Sequence, residues 1–265
     1  MNSAPIGIFD SGLGGLTVAR AIFERLPHES TVYFGDTARV PYGPKSPETV
    51  QRYSLEILRW LLSQGVKAVV IACNTSTAHA LGALRDASPV PVVGVIEPGA
   101  RAAIAGSRGK VGVIGTAGTI ASGAYRRAIE ARAPQLEVVQ QACPLFVPLV
   151  EEGWFDHPAA QLIAADYLRP LRDASVDALV LGCTHYPLLK PLLQAEMGPD
   201  VRLIDSGAET ARALEEILAR HSLLGDEGME PVHRFVVSDD EARFRSVGQR
   251  FIGERLSGAE VVPLG

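Results

Sequence analysis

The chain has 265 residues, of which 47% are hydrophobic and 21% charged, and its formal net charge is −5. This length is enough for one large domain or two small ones, and the composition excludes an intrinsically disordered protein. The acidic balance argues against nucleic acid and membranes as partners, because anionic partners attract basic surfaces. No apolar run approaches the ~20 residues of a membrane span, and no basic signal-peptide region precedes the first strand-like segment.

Short apolar runs alternate with amphipathic stretches along the whole chain. The runs lie at residues 6–9, 32–34, 68–72, 92–96, 111–114, 138–139, 178–181 and 201–204. Near-continuous apolar runs of this length are typical of strands buried on both faces, as in parallel sheets. We therefore predict an α/β fold in which mostly parallel sheets are flanked by helices.

The clearest helical pattern covers residues 47–64. Ser46 suits the N-cap, Pro47 the first helical position and Gly65 the C-terminal stop. One predicted face is apolar and consists of Val50, Tyr53, Ile57, Leu58, Leu61 and Leu62. Near the end of the chain, the pattern predicts a helix from Glu241 to Leu256 and short strands at 235–237 and 261–262.

The chain resembles itself at an offset of 105 to 110 residues. Residues 6–11 align with 111–116, and residues 71–75 align with 181–185. We therefore predict two similar lobes, with an active site in the cleft between them. Glu97-Pro98-Gly99 and Asp205-Ser206-Gly207 are the predicted crossings, since Pro and Gly follow a strand at both. The predicted domains are residues 1–97 plus 208–265, and residues 98–207.

Polar residues follow most of the apolar runs, where ligands bind in open α/β sheets. These residues are Asp10, Ser11, Asp36, Cys73, Asn74, Thr75, Glu97, Thr116, Cys183, Thr184, His185, Asp205 and Ser206. Capping or turn formation is the ordinary role of Asp and Thr at such junctions, and we predict it for Asp36, Thr116 and Asp205.

The three cysteines lie at positions 73, 143 and 183, too few and too far apart for a disulfide framework, which indicates a reducing compartment. Cys73 and Cys183 occupy matching positions in the two predicted lobes. Each precedes small polar residues at a predicted helix N-terminus, which lowers the pKa of a thiol. Cys143 precedes a proline and an apolar run, and we predict a structural role for it. No CxxC spacing supports a zinc site.

Other segments leave two interpretations open. Residues 10–16 form a Gly-rich turn that fits neither a dinucleotide fingerprint nor a P-loop, but suits a small anion. The turn at 41–44 is either structural or a ligand contact. His185 is either an ordinary surface or core residue or a group that handles protons. By its local sequence, the segment 151–154, which begins with Glu151, fits a solvated acidic turn.

The sequence offers no suitably placed lysine for the Schiff base of a pyridoxal phosphate cofactor. Lys67 and Lys110 precede their strands, at the wrong end of the sheet, and Lys190 falls in a predicted helix. Only Lys45 approaches the site, from a loop. We therefore expect a reaction without a cofactor or metal. Two thiols facing each other across a cleft suit inversion of a carbon, one removing a proton and the other returning one.

Several motifs resemble those of glutamate racemases. They are residues 8–16 (IFDSGLGGL), 36–43 (DTARVPYG), 72–75 (ACNT), 148–151 (PLVE), 182–187 (GCTHYP) and 237–240 (VSDD). The cysteine motifs alone are typical of the wider aspartate/glutamate racemase superfamily. The Asp-Ser-Gly-Leu-Gly-Gly and Pro-Tyr-Gly elements narrow the resemblance to glutamate racemases, and it extends over nearly the whole chain.

The resemblance implies a cofactor-independent racemase that interconverts L- and D-glutamate. It implies a homodimer in the bacterial cytoplasm that supplies D-glutamate for peptidoglycan synthesis. It also implies that Cys73 is the base toward D-glutamate and Cys183 the base toward L-glutamate, assisted by Asp10, Glu151 and His185. The implied substrate contacts are Asp10, Ser11, Pro41, Tyr42, Gly43, Asn74, Thr75, Thr116, Thr184 and His185.

Other functions fit the same residues. A racemase acting on aspartate or another amino acid would use the same cleft chemistry. A Cys–His hydrolase would use one thiol and leave the second strand-end cysteine unexplained. An amino-acid sensor would bind without turnover, and a redox switch would form a Cys73–Cys183 disulfide.

Overall fold

A computed structural model describes residues 3–226, 228 and 230–264. Within this part of the chain, ten strands form two sheets, one of six strands and one of four. The strands are β1 (Ile6–Asp10), β2 (Thr31–Gly35), β3 (Ala68–Ile71), β4 (Val92–Gly94), β5 (Lys110–Gly115), β6 (Glu137–Ala142), β7 (Ala178–Gly182), β8 (Arg202–Asp205), β9 (His233–Val237) and β10 (Glu260–Val261).

Helices fill most of the connections between the strands. They are α1 (Leu16–Arg25), α2 (Pro47–Ser63), α3 (Asn74–Ala87), α4 (Ile96–Gly106), α5 (Ala117–Ser122), α6 (Ala124–Glu130), α7 (Phe146–Glu151), α8 (Pro158–Asp173), α9 (Lys190–Met197), α10 (Ser206–Arg220) and α11 (Glu241–Ile252). Short 3-10 helices cover Tyr186–Leu189 and Gly253–Arg255. Among the described residues, none of the helices combines the length and apolarity needed to cross a membrane.

Four strands of the larger sheet, β2-β1-β3-β4, have the same order as the four strands of the smaller sheet, which confirms the predicted fold of two similar lobes. The six-stranded sheet runs β10-β9-β2-β1-β3-β4 and the four-stranded sheet runs β6-β5-β7-β8, with parallel pairing throughout. The segments that align in sequence are therefore equivalent in space, β1 with β5 and β3 with β7. We call the six-stranded sheet with its helices the first lobe and the four-stranded sheet with its helices the second lobe.

The predicted helix near residue 47 is confirmed. Ser46 Oγ accepts a hydrogen bond from Thr49 N at 3.3 Å and caps α2, which begins at Pro47. Gly65 follows with a φ of +71°, a left-handed conformation that glycine adopts without strain. The predicted apolar face of the helix points inward, with Ile57 and Leu61 fully buried against the first sheet.

The tail of the chain joins the first sheet, because β9 pairs with β2 and β10 pairs with β9. The prediction that the last helix extends to Leu256 is wrong: α11 ends at Ile252, where Gly253 takes a φ of +65° and a 3-10 turn follows. This end of α11 packs against α1 of the first lobe.

The first predicted crossing between lobes is helical. The segment Glu97-Pro98-Gly99 lies in the first turn of α4, so the apolar run that begins at Val92 ends as a strand at Gly94. The second crossing matches the capping prediction, because Asp205 Oδ1 accepts a hydrogen bond from Gly207 N at 2.9 Å and begins α10. The domain boundaries near residues 97 and 207 stay predictions.

Candidate active site

Most of the predicted site residues lie where the two lobes meet, beyond the carboxyl ends of β1, β2, β3, β5 and β7. The loop after β1 contacts the turn after β7 directly. A Cβ atom on Gly14 would lie 2.3 Å from Thr184 Oγ1 and 2.4 Å from His185 Nδ1. Thr17 Oγ1 also donates a hydrogen bond to the Thr184 carbonyl at 3.0 Å. Glycine at position 14 therefore lets the backbone of one lobe touch the histidine of the other.

Cys73 occupies the N-cap of α3. Its Sγ accepts a hydrogen bond from Ser76 N at 3.4 Å and donates one to Ser11 Oγ at 3.6 Å. Burial and the negative charge of Asp10 raise the pKa of Cys73 to about 11, against the lowering effect of these hydrogen bonds. The prediction that the helix N-terminus lowers this pKa overall is therefore wrong, because desolvation of a thiolate outweighs two weak sulfur contacts.

Asp10 is 1% exposed and lies at the end of β1. Its Oδ2 accepts a hydrogen bond from Gly12 N at 3.0 Å, whereas its Oδ1 has no hydrogen-bond partner among the described residues. Burial raises the pKa of Asp10, and the nearby positive charge of His185 opposes that rise. Asp10 therefore electrostatically links the Cys73 half of the site to the His185 half.

Cys183 lies in the turn after β7, beside a histidine and a carboxylate. His185 Nδ1 is 3.9 Å from Cys183 Sγ, and His185 Nε2 is 3.1 Å from Glu151 Oε1. The turn continues into a 3-10 helix, so the α-helix N-terminus predicted after this cysteine does not form. The group beside the Cys183 thiol is therefore the imidazole of His185, whereas the group beside the Cys73 thiol is the N-terminus of α3.

His185 is a protonated imidazolium at neutral pH. Burial alone lowers its pKa, but hydrogen bonds to Cys183 and Glu151, together with their charges, outweigh burial and raise the pKa to about 10. In turn, hydrogen bonds from His185 and Arg243 outweigh the effect of burial on Glu151 and lower its pKa. Glu151 is therefore an ionised partner within the site and not a solvated turn residue.

This pKa makes stability depend on pH. Between about pH 6.5 and about pH 10 the native protein holds a proton on His185 that the unfolded chain has released. The stabilisation is complete below pH 6.5 and disappears as the pH rises through 10, at up to ~1.4 kcal/mol per pH unit. We expect denaturant titrations to show this decline in the native protein and a shallower one in His185→Asn. Parallel pH profiles for the two proteins would contradict the assignment.

Hydroxyl and amide groups complete the site. Thr75 Oγ1 of the first lobe lies 3.0 Å from Thr116 Oγ1 of the second, and Thr116 also caps α5 as predicted. Asn74 Oδ1 accepts a hydrogen bond from Tyr125 OH at 2.8 Å, whereas Asn74 Nδ2 is buried without a partner among the described residues. A donor is therefore left for a bound polar ligand.

The loop after β2 reaches the second lobe at Gly43, where Gly118 N donates a hydrogen bond to the Gly43 carbonyl at 2.9 Å. The hydroxyl proton of Tyr42 is already committed, because it is donated to Asp36 Oδ2. Burial and the charge of Asp36 raise the pKa of Tyr42, so its hydroxyl stays neutral. Asp36 does not cap a helix but begins a turn, as the other part of its prediction has it, and its carbonyl accepts a hydrogen bond from Arg39 N at 3.2 Å. Its side chain is fully buried and also accepts a hydrogen bond from Ser238 Oγ at 2.9 Å.

A cavity of about 350 Å³ opens between the lobes beside these residues. It is mostly apolar, and its lining includes Pro41, Gly43, Thr116 and Glu151. Within the described residues, no group of three or more His, Cys, Asp or Glu side chains is arranged to hold a metal ion. Cys143 is fully buried, and its Sγ donates a hydrogen bond to the Gln141 carbonyl at 3.7 Å.

Several residues that contact the site carry no signal in the sequence, among them Ser76, which donates its backbone N–H to Cys73 Sγ, and Phe251, whose ring packs against His185. Tyr125 holds the amide of Asn74, and Arg243 and Arg250 hold Glu151 through its side chain and its carbonyl. The two arginines follow the tail motif at 237–240, but neither belongs to it. Nothing in the local sequence of Tyr125 indicates its contact, which joins positions 51 residues apart.

Comparison with known proteins agrees with this geometry. Residues 10–214 match the sequence model of the Asp/Glu/Hydantoin racemase family. A glutamate racemase of Geobacter metallireducens is 57% identical over 260 residues, which cover 98% of this chain and 96% of the relative.

Solved structures that are similar to this chain include further glutamate racemases. A glutamate racemase isoform of Bacillus anthracis superposes with a TM-score of 0.94 at 41% identity, over 100% of this chain and 98% of the other. A glutamate racemase of Francisella tularensis, solved in complex with D-glutamate, superposes with a TM-score of 0.94 at 39% identity, over 100% and 99% of the two chains. The chain therefore belongs to the Asp/Glu/Hydantoin racemase family, among its glutamate racemases, and is an amino-acid racemase.

Proposed function

We propose that the chain interconverts L- and D-glutamate with one thiol on each face of the α-carbon. The observation that carries the proposal is the placement of Cys73 and Cys183 after equivalent strands, β3 and β7, of two lobes that meet at the site. Their surroundings differ: Cys73 has a carboxylate and a serine nearby, and Cys183 has an imidazolium. This asymmetry supports one thiol acting as acid while the other acts as base.

Conversion of L-glutamate begins at Cys183. Its thiolate removes the α-proton, so an S–H bond forms, the Cα–H bond breaks and the electron pair stays on Cα and the adjoining carboxylate. Cys73, whose raised pKa keeps it protonated, donates its proton to the opposite face. The product is D-glutamate, and Cys73 is left as the thiolate that starts the reverse reaction. Asp10, Glu151 and His185 assist the two thiols.

The buried polar atoms without partners support an amino-acid ligand. The free Nδ2 of Asn74 suits a substrate carboxylate, and the free Oδ1 of Asp10 suits a substrate ammonium group. We assign the remaining substrate contacts to Ser11, Thr75, Thr184 and His185, the hydroxyl of Thr116, and the backbone of residues 41–43. Since the Tyr42 hydroxyl proton goes to Asp36, we assign the contact at Tyr42 to its backbone N–H.

The biological part of the proposal follows from the family. The reaction supplies D-glutamate for peptidoglycan in the bacterial cytoplasm, and the enzyme acts as a homodimer without a cofactor. Size-exclusion chromatography with light scattering tests the dimer directly. Dialysis against EDTA tests the absence of a metal and is expected to leave the rate unchanged.

A chiral assay in D₂O tests the function. The dialysed protein is incubated separately with pure L-glutamate, D-glutamate, L-aspartate and D-aspartate, and each product is analysed for its enantiomers and for α-deuterium. We expect inversion of glutamate with deuterium in the product and little turnover of aspartate. Inversion of aspartate alone would replace the substrate assignment. Binding of glutamate without inversion or exchange would identify an amino-acid sensor instead.

A further inference from the structure

Two arginines of the first lobe hold Glu151 of the second lobe. Arg243 Nη2 lies 3.1 Å from Glu151 Oε2, and Arg250 Nη1 donates a hydrogen bond to the Glu151 carbonyl at 2.6 Å. Both arginines belong to α11, which begins at its N-cap Asp240 and packs against α1. Glu151 is the last residue of α7, so its side chain and its backbone are both fixed by a helix from the opposite lobe.

The contact continues from Glu151 to the second thiol. Glu151 uses its other oxygen, Oε1, for His185 Nε2 at 3.1 Å, and His185 Nδ1 faces Cys183 Sγ at 3.9 Å. The ring of Phe251, also on α11, meets the His185 ring edge to face with centroids 5.7 Å apart. Cys73 makes no hydrogen bond to this chain of contacts among the described residues, since its Sγ bonds to Ser11 and Ser76, and it is connected to His185 only through the charge of Asp10.

The ion pair between Arg243 and Glu151 is partly exposed, with 51% of the Arg243 side chain and 19% of the Glu151 side chain accessible. Pairs exposed to this degree contribute little to folding stability. The pair matters more for the orientation of Glu151, because a carboxylate with one oxygen bound by an arginine presents the other oxygen in a defined direction. That oxygen sets the orientation of the imidazole ring beside Cys183.

We propose that Arg243 is a positioning residue for proton transfer at Cys183, acting through Glu151 and His185, and that it has no comparable effect at Cys73. The proposal rests on the two-thiol function above. It also means that the Cys183 half of the site is complete only while α11 of the first lobe contacts α7 of the second.

Half-reactions of the full-length protein test this inference. Cys73→Ser retains only Cys183 and is used to follow α-proton exchange of L-glutamate in D₂O. Cys183→Ser retains only Cys73 and is used to follow exchange of D-glutamate. Arg243→Gln is added to each. The matched control is Arg245→Gln, which removes the same charge from the same helix at a residue that is 50% exposed and pairs with Glu241.

We expect Arg243→Gln to slow exchange of L-glutamate in the Cys73→Ser background about tenfold, because small misplacements of a catalytic group are costly and Arg250 still holds the backbone. Exchange of D-glutamate in the Cys183→Ser background should change less than about twofold, as should both half-reactions with Arg245→Gln. Equal losses in the two half-reactions, or no loss in either, would overturn the role of Arg243. If neither single cysteine variant shows one-sided exchange, the two-thiol function itself fails, and this inference fails with it.

Discussion

Replacing either Cys73 or Cys183 with serine is expected to lower racemisation at least ~10³-fold in both directions, because each turnover needs one thiol as base and the other as acid. A serine hydroxyl has nearly the shape of the thiol but is a far weaker acid, so the packing survives and the proton transfer does not. Steady-state circular dichroism or a coupled chiral assay with each enantiomer measures the loss.

The third cysteine provides the matched control. Cys143 is fully buried, and its Sγ donates a hydrogen bond to the Gln141 carbonyl. Cys143→Ser keeps a donor for that carbonyl and should retain racemisation within about threefold. A thousandfold loss in Cys143→Ser, or full activity in Cys73→Ser and Cys183→Ser, would show that the thiols do not act as proposed.

Gly14→Ala should lower racemisation about 10²-fold and the free energy of unfolding by ~1–3 kcal/mol. The added Cβ would lie 2.3 Å from Thr184 Oγ1 and 2.4 Å from His185 Nδ1, well inside van der Waals contact. The His185 ring has little room to move, because Glu151 holds Nε2 and Phe251 packs against the ring. The two lobes must therefore shift apart, which separates His185 from its partners.

A second glycine separates this steric effect from that of an added methyl group. Gly82 lies in α3, and a Cβ placed there has no atom within 4 Å. Gly82→Ala should leave activity unchanged and raise the unfolding free energy by ~0.5–1 kcal/mol, since alanine favours helix. Racemisation rates and denaturant midpoints of the two variants test whether the effect of Gly14→Ala is steric. A Gly14→Ala variant as active as Gly82→Ala would contradict the close contact between Gly14 and His185.

The sequence was sufficient for the architecture because strands buried on both faces are recognisable without tertiary information. The matched cysteines at 73 and 183 located the ends of two equivalent strands, and the internal repeat implied two lobes. The Gly-rich segment at 10–16, predicted to be a turn, connects β1 to α1. These features depend on short local patterns and on their repetition along the chain, which a single sequence displays.

The chemistry of the site depends on contacts that the sequence does not display. Arg243 meets Glu151 across 92 residues, and Tyr125 meets Asn74 across 51. The pKa of Cys73 differs from the sequence prediction for a related reason: the local pattern indicates a helix N-terminus, whereas burial and the charge of Asp10 raise the pKa. The local sequence of Glu151 is typical of a surface turn, and its contact with His185 exists only because the two lobes pack against each other.

The central claim is that each thiol serves one face of the α-carbon, and isotope exchange by the two single variants tests it most directly. In D₂O, Cys73→Ser is expected to place deuterium at Cα of L-glutamate with retention and to leave D-glutamate unlabelled. Cys183→Ser is expected to label D-glutamate and leave L-glutamate unlabelled. If either variant labelled both enantiomers at similar rates, a single group would be serving both faces, and the two-thiol account would be wrong.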